Sequence, residues 1–169
     1  MTLEEAKEKF ITTWGGLGTQ WGINKTMAQL HALLFISAQP LSTEDIMEAL
    51  QISRGNVNMN VRELIDWGLV YRVNKTGDRK DYYQAEKDVW KIAKLIVRER
   101  KKRELEPIIE VLTELKKVEG DKKSEEYLSF VESMTQLKNF SETVNNSVDK
   151  MIKADENWLG NLFMSMLKK

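Results

Sequence analysis

The chain has 169 residues, enough for one domain with a hydrophobic core or for a small domain with helical extensions. It contains no cysteine and a single histidine, which excludes disulfides and thiolate metal sites and argues against structural zinc. Its 26 basic residues balance 26 acidic residues, so the total charge does not indicate a polyanionic partner.

The charges are distributed unevenly along the chain. Residues 42–103 contain 14 basic and 10 acidic residues, whereas residues 104–169 contain 9 basic and 13 acidic residues. The middle of the chain is therefore expected to attract phosphate, and the C-terminal part to repel it. No apolar run approaches the ~20 residues that span a bilayer, and the N-terminus does not resemble a secretory signal. A cytoplasmic location without a membrane partner is expected.

The first elements in chain order are predicted to be helices. Residues 3–21 carry an apolar stripe at helical spacing, formed by Phe10, Trp14, Leu17 and Trp21. Three glycines interrupt the second half of this helix, namely Gly15, Gly16 and Gly18. Residues 25–37 are apolar on most sides, which is typical of a buried helix.

Two shorter helices follow, each with a capping residue. Ser42 predicts an N-cap with Asp45 in the capping-box position, and the helix over residues 43–50 is expected to turn Ile46, Ala49 and Leu50 inward. After a tight turn, Ser53 caps a second helix that runs to about Trp67 and stops at Gly68.

The next residues predict a β-hairpin and then more helices. Two strands, at residues 69–73 and 80–85, flank a turn over residues 74–78. A helix is predicted over residues 87–105, and Pro107 is expected to open the next, over residues 108–118. Two further helices are expected at residues 124–140 and 141–153. A final apolar stripe, which needs its own domain or a second subunit as partner, comprises Trp158, Leu159, Leu162, Phe163, Met166 and Leu167.

The helix over residues 53–67 has one apolar and one polar face. Its inward residues are expected to be Val57, Val61, Leu64 and Ile65. The opposite face carries Arg54, Gly55, Asn58, Met59 and Arg62, with Asn56 and Asn60 at its edges. Asn pairs with adenine, Arg with guanine, and Met contacts the thymine methyl, so this face suits a DNA groove. Ser53 and Gly55 would meet phosphate at the helix N-terminus. The alternative is a solvated polar face.

Basic residues cluster at the tip of the predicted hairpin, where Lys75, Arg79 and Lys80 could contact the DNA backbone or the minor groove. Asp78 among them is interpreted as holding a guanidinium, either Arg79 or Arg62. The alternative is an ordinary charged turn.

Residues 41–83 resemble the winged helix-turn-helix of the MarR superfamily, most closely its GbsR-like branch of regulators associated with osmoprotectant and choline metabolism. The matching segments are Ser53–Leu64, Trp67-Gly68-Leu69-Val70 and Gly77–Tyr83, continued by Val89-Trp90-Lys91-Ile92 and Arg98-Glu99-Arg100. The resemblance implies a mainly α fold with a small β-wing and N- and C-terminal dimerisation helices. It also implies a homodimer on a pseudopalindromic double-stranded DNA site, and repression relieved by a small ligand in some members.

These observations predict three regions. Residues 1–24 form an N-terminal dimerisation helix, residues 25–86 the winged helix-turn-helix, and residues 87–169 a helical linker and dimerisation region. The expected function is sequence-specific transcriptional regulation. The alternative is a protein-interaction module that docks on transcription machinery, although a docking face would carry more apolar anchors than this polar helix face.

Other candidate sites have simpler interpretations beside the functional ones. His31 is either a packed histidine or a ligand contact. Six aromatic residues form a candidate cage for a quaternary ammonium effector, or else pack in the core and dimer interface: Phe10, Trp14, Trp21, Tyr82, Tyr83 and Trp90. The basic residues in the run 98–103 either contact phosphate or form a helix face that is exposed to solvent. No nucleophile–base pair, phosphate-binding glycine loop or metal-ligand spacing is present in the sequence, so neither an enzyme nor a cofactor is expected.

Overall fold

The computed structural model describes residues 1–154 of the chain, so the predicted apolar stripe at residues 158–167 lies outside the described residues. None of the helices within that part has the length and apolarity needed to cross a membrane. The chain divides into two compact units, residues 1–95 and the residues from Ile96 onward.

The fold is mainly helical with one small antiparallel sheet. The first unit holds α1 (Leu3–Gln20), α2 (Lys25–Ile36), β1 (Leu41–Ser42), α3 (Thr43–Leu50), α4 (Arg54–Asp66), β2 (Val70–Val73) and β3 (Tyr82–Ala85). Helix α5 (Val89–Arg100) is followed by a π-helical turn (Lys101–Leu105), α6 (Glu106–Leu115) and α7 (Glu125–Lys153).

Helix α1 continues through its glycines because two of them are contact points with α2. A Cβ atom on Gly15 would lie 2.5 Å from Gln29 Cγ, and one on Gly18 would lie 2.5 Å from Ala28 Cβ. Gly16 faces open space. Gly15 and Gly18, which were expected to interrupt the helix, instead allow the two helices to approach closely.

The short helices begin and end where the capping residues predict. The Ser42 and Asp45 side chains form a complete capping box at α3, and the Ser53 hydroxyl accepts a hydrogen bond from the backbone of Asn56 at α4. Gln51 adopts a left-handed conformation, with φ 53°, that makes the tight turn between them. Gly68, with φ 74°, follows α4 as predicted.

The core of the first unit lies between α2, α3, α4 and the sheet. Its fully buried side chains are Met27, Leu30, Leu34, Ile46, Val57, Leu64 and Val70, together with Asn60. Ala49 is exposed, so its predicted inward position was wrong. Ile46 already fills the contact with the core, and the last turn of α3 lies on the rim of an open groove.

The sheet has the strand order β1-β3-β2, with every pair antiparallel. Val70 pairs with Ala85 and Val73 with Tyr82, which confirms the predicted hairpin. Leu41 pairs with Tyr83. Because β1 has only two residues, the sequence could not show the alternation of a strand there.

The helices of the second unit differ from the prediction in two places. The α-helix expected to reach Leu105 ends at Arg100, and the π-helical turn follows. Pro107 lacks an N–H and lies in the first turn of α6, so the turn before it omits a regular helical hydrogen bond. The two helices expected over residues 124–153 are one helix, α7. No glycine or proline interrupts it, and Ser141 is buried in its middle.

Candidate nucleic-acid interface

The outward face of α4 follows from the burial of its inward face. Val57, Val61 and Leu64 are at most 2% exposed, which fixes the rotation of the helix about its axis. The opposite side then faces solvent, with Arg54, Gly55, Asn58, Met59 and Arg62 all exposed. Met59 is 59% exposed, an unusual position for a large apolar side chain. These residues, other than Arg54, line a shallow open depression that also includes Glu63 and Asp66.

Asn60 is not at the edge of this face, as the sequence analysis placed it, but in the core. It is 1% exposed, and its Nδ2 donates to Asn56 O at 2.8 Å and to Asn56 Oδ1 at 2.6 Å. These bonds satisfy the amide group that burial removes from water. Asn60 lies three residues after Val57 and four before Leu64, and that spacing was the available signal for an inward position.

Arg54, in the first turn of α4, contacts an acidic residue of α3. Its Nη2 donates to Glu44 Oε1 at 2.6 Å, and both side chains remain about half exposed. This bond, together with a backbone hydrogen bond, holds the pKa of Glu44 below its usual value. Glu44 could not be recognised in the sequence, because an ion pair between two helices has no fixed spacing in the chain.

The wing, defined here as β2, β3 and the turn between them, is organised by Asp78. Gly77 has φ 84°, and the Asp78 N–H donates to Lys75 O at 3.1 Å. The Asp78 carboxylate accepts from the Tyr82 hydroxyl at 2.7 Å and from the Lys80 N–H at 3.0 Å. Its predicted guanidinium partner was therefore wrong. The Tyr82 bond is the main reason that the pKa of Asp78 is lowered and that of Tyr82 is raised.

The basic side chains of the wing differ in their surroundings. Lys75 Nζ lies 3.9 Å from the centre of the Tyr82 ring, a cation–π contact. Arg72 pairs with Asp81 at 3.5 Å. Arg79 and Lys80 are exposed, and the side chain of Arg79 forms no ion pair with any residue from 1 to 154. Lys80 also forms no ion pair with a residue from 1 to 154, so Arg79 and Lys80 are the cations of the wing most available to an external anion.

The six candidate cage aromatics do not form one cluster within residues 1–154. Phe10 and Trp14 have ring centres 5.5 Å apart, and Trp14 and Trp21 are edge-to-face at 6.4 Å. The other three lie elsewhere: Tyr82 contacts Lys75 in the wing, Tyr83 is buried in the sheet, and Trp90 is 46% exposed at the start of α5. The structure therefore brings together three of the six.

His31 is a packed core histidine. It is 5% exposed, and its ring centre lies 6.2 Å from that of Phe35. Burial, with a smaller contribution from the charge of Lys87, lowers the pKa of His31 to about 4. The imidazole is therefore neutral at pH 7. No group of three metal-binding side chains occurs anywhere in the described part of the chain.

The basic run over residues 98–103 is partly engaged by acids of its own unit. Arg100 Nε donates to Glu104 at 3.0 Å, and Lys101 pairs with Asp149 at 2.8 Å. The Lys101 side chain is only 14% exposed. The run is therefore not a continuous surface of free cations.

A capped helix pair followed by an antiparallel hairpin with exposed basic residues defines a winged helix-turn-helix protein. Residues 21–81 match the family model described as MarR family. This segment is therefore a winged helix that is similar to the MarR family.

Two curated relatives match over 88 residues, which is 52% of this chain. One is the putative HTH-type transcriptional regulator YvaV, which is 25% identical, and the match covers 50% of its length. The other is the HTH-type transcriptional repressor OpcR, which is 26% identical, and the match covers 48% of its length. Both are from Bacillus subtilis (strain 168). The chain spans about half the length of the curated relatives it matches.

A crystal structure of a transcriptional regulator shares the fold with a TM-score of 0.57. The two chains are 20% identical, and the match covers 86% of this chain and 99% of the other.

Proposed function

We propose that this chain is a sequence-specific DNA-binding transcriptional regulator that acts as a homodimeric repressor. The observation that carries the proposal is the exposed polar face of α4 beside an exposed basic wing. The relative named as a transcriptional repressor, OpcR, supports repression over activation.

The outward face of α4 would lie in the major groove. Arg54 and Arg62 have the fork of donors that guanine O6 and N7 accept, and Asn58 can bond adenine at two positions. Met59 would contact a thymine methyl, which explains why an apolar side chain is so exposed. The Asn56 Oδ1 already accepts a hydrogen bond from Asn60, and the Nδ2 donors of Asn56 would contact a base.

The DNA backbone would be held at two places. Ser53 and Gly55 lie at the N-terminus of α4, where free backbone N–H groups favour phosphate. In the wing, Lys75, Arg79 and Lys80 would contact phosphates or the minor groove. Asp78 would act indirectly, because its bonds to Tyr82 and Lys80 shape the turn that presents Arg79.

Dimerisation is supported by exposed apolar side chains beyond Ile96. Ile108 and Val111 of α6 are each 52% exposed, and Leu137 and Phe140 of α7 are 48% and 66% exposed. Apolar patches of this kind mark protein interfaces. In the proposed dimer, residues 25–86 bind DNA, and residues 1–24 and 87–169 join the subunits, so that two α4 helices reach successive major grooves.

The test is selection of bound duplexes from a random-sequence library, followed by mobility shift in the presence of non-specific competitor. We expect enrichment of a motif with two half-sites related by a two-fold axis. Sedimentation measurements should give twice the chain mass. A library without an enriched motif would contradict the proposal and favour the protein-docking alternative.

We also infer that the effector is a quaternary ammonium compound bound at Phe10, Trp14 and Trp21, as in a GbsR-like regulator. Aromatic faces attract such cations, and these three rings are adjacent. Isothermal titration with choline and glycine betaine should give a binding heat that Trp14→Leu removes. The matched control is Trp90→Leu, which should retain the heat. Flat heats with both compounds would eliminate this effector.

A further inference from the structure

The first turn of α4 presents a cation that an acid of α3 already holds. Arg54 Nη2 and Glu44 Oε1 are 2.6 Å apart, and the two side chains are 58% and 44% exposed. The charge of Lys80 in the wing also acts on the Glu44 carboxylate. Glu44 therefore lies between the two elements proposed to meet DNA, where an acid repels phosphate.

An acid in this place is explained if it restrains Arg54. An unrestrained arginine on a flexible stem can bind any phosphate, and such contacts strengthen binding to every sequence. The contact with Glu44 uses one terminal nitrogen of the guanidinium, and the remaining N–H donors stay available. A guanidinium held through one nitrogen samples fewer positions than a free one, which favours pairing with a base edge at a fixed place.

We propose that Glu44 is a specificity-determining residue, which holds Arg54 toward a base edge and away from the phosphate backbone. This inference rests on the proposed function in DNA binding. Its consequence is that Glu44 weakens binding to random sequences more than binding to the operator.

The experiment compares Glu44→Gln with Glu48→Gln, an exposed residue of the same helix without an ion pair among residues 1–154. Both variants lose one negative charge, but only Glu44→Gln releases Arg54. Fluorescence anisotropy measures the affinity for the selected duplex and for a scrambled duplex of the same composition, at several salt concentrations. Thermal unfolding of each variant checks that the fold is intact.

We expect Glu44→Gln to raise affinity for the scrambled duplex about twofold to fivefold beyond the effect of Glu48→Gln. The salt slope on that duplex should steepen by about one unit, as one more phosphate contact forms. Affinity for the selected duplex should change less. The ratio of the two affinities, which measures discrimination between the duplexes, should therefore fall. In a protein that also carries Arg54→Gln, Glu44→Gln should raise the affinity for the scrambled duplex no more than Glu48→Gln does.

Equal effects of the two single variants on both duplexes would overturn the inference while leaving the proposed function intact. The same holds if Glu44→Gln increases discrimination, or if its effect persists without Arg54. A wild-type protein that does not distinguish the two duplexes overturns the proposed function, and the inference with it.

Discussion

Residues 1–95 and the residues from Ile96 onward bury their apolar side chains to different extents. The first unit has fifteen buried apolar residues, whereas in the second unit, within the described chain, Leu112 is the single buried apolar residue. Conversely, the second unit exposes large apolar side chains on both α6 and α7. The first unit therefore has a core of its own, whereas the second unit, within the described residues, leaves apolar side chains of both helices exposed.

The largest expected effect comes from truncating a core leucine in the first unit. Leu64→Ala removes a side chain that is 1% exposed, and should lower the free energy of unfolding by about 2–5 kcal/mol. The matched change in the second unit, Leu137→Ala, removes a side chain that is 48% exposed. For Leu137→Ala, the free energy of unfolding should fall by less than about 1 kcal/mol. Chemical denaturation at a protein concentration where the chain is monomeric measures both changes. Similar losses at both positions would remove the contrast between the units.

The second effect is a dependence of the free energy of unfolding on pH, which arises from His31 in the core of the first unit. The pKa of His31 is about 4 in the folded chain, below its ordinary value of 6.5, so the unfolded chain binds the proton more readily. Stability should therefore decrease as the pH falls from about 6.5 to 4, by up to about 3 kcal/mol. Denaturation curves of wild type and His31→Gln across this range isolate the contribution. Parallel curves would show that His31 is not buried as described.

The third effect tests how α1 packs on α2. Gly18→Ala places a methyl group 2.5 Å from Ala28 Cβ, so overpacking should destabilise the protein by about 1–3 kcal/mol despite the better helix propensity of alanine. Gly16→Ala is the matched control, since nothing lies within 4 Å of its Cβ. It should stabilise the helix by about 0.5–1 kcal/mol. Thermal melting of the two variants should move in opposite directions, and a shared direction would contradict the close approach of the helices.

The smallest effect concerns the exposed face of the second unit. Phe140→Glu should leave the unfolding of the first unit almost unchanged, because Phe140 is 66% exposed. If a second copy covers this face, the dimer dissociation constant should rise at least about tenfold, which corresponds to about 1.4 kcal/mol. Sedimentation equilibrium measures the change. Asn146→Glu, at another exposed position of α7, adds the same single charge and is the control. Equal dissociation constants for wild type and Phe140→Glu would place the dimer contact elsewhere.

Local signals in the sequence determined the helices and the hairpin that define the winged helix. A capping hydroxyl at Ser42 or Ser53 satisfies a backbone N–H within three residues, and Gly68 supplies the positive φ that ends α4. The helical spacing of Val57, Val61 and Leu64 fixed which side of α4 is buried. These effects act over a few residues, so they can be predicted from the chain alone.

Tertiary structure decided the features that depend on residues far apart or on which surface is covered. Arg54 meets Glu44 only because α3 and α4 pack side by side. The strand β1 forms because β3 supplies its partner. In each case the deciding contact comes from another element, whose position no local pattern encodes.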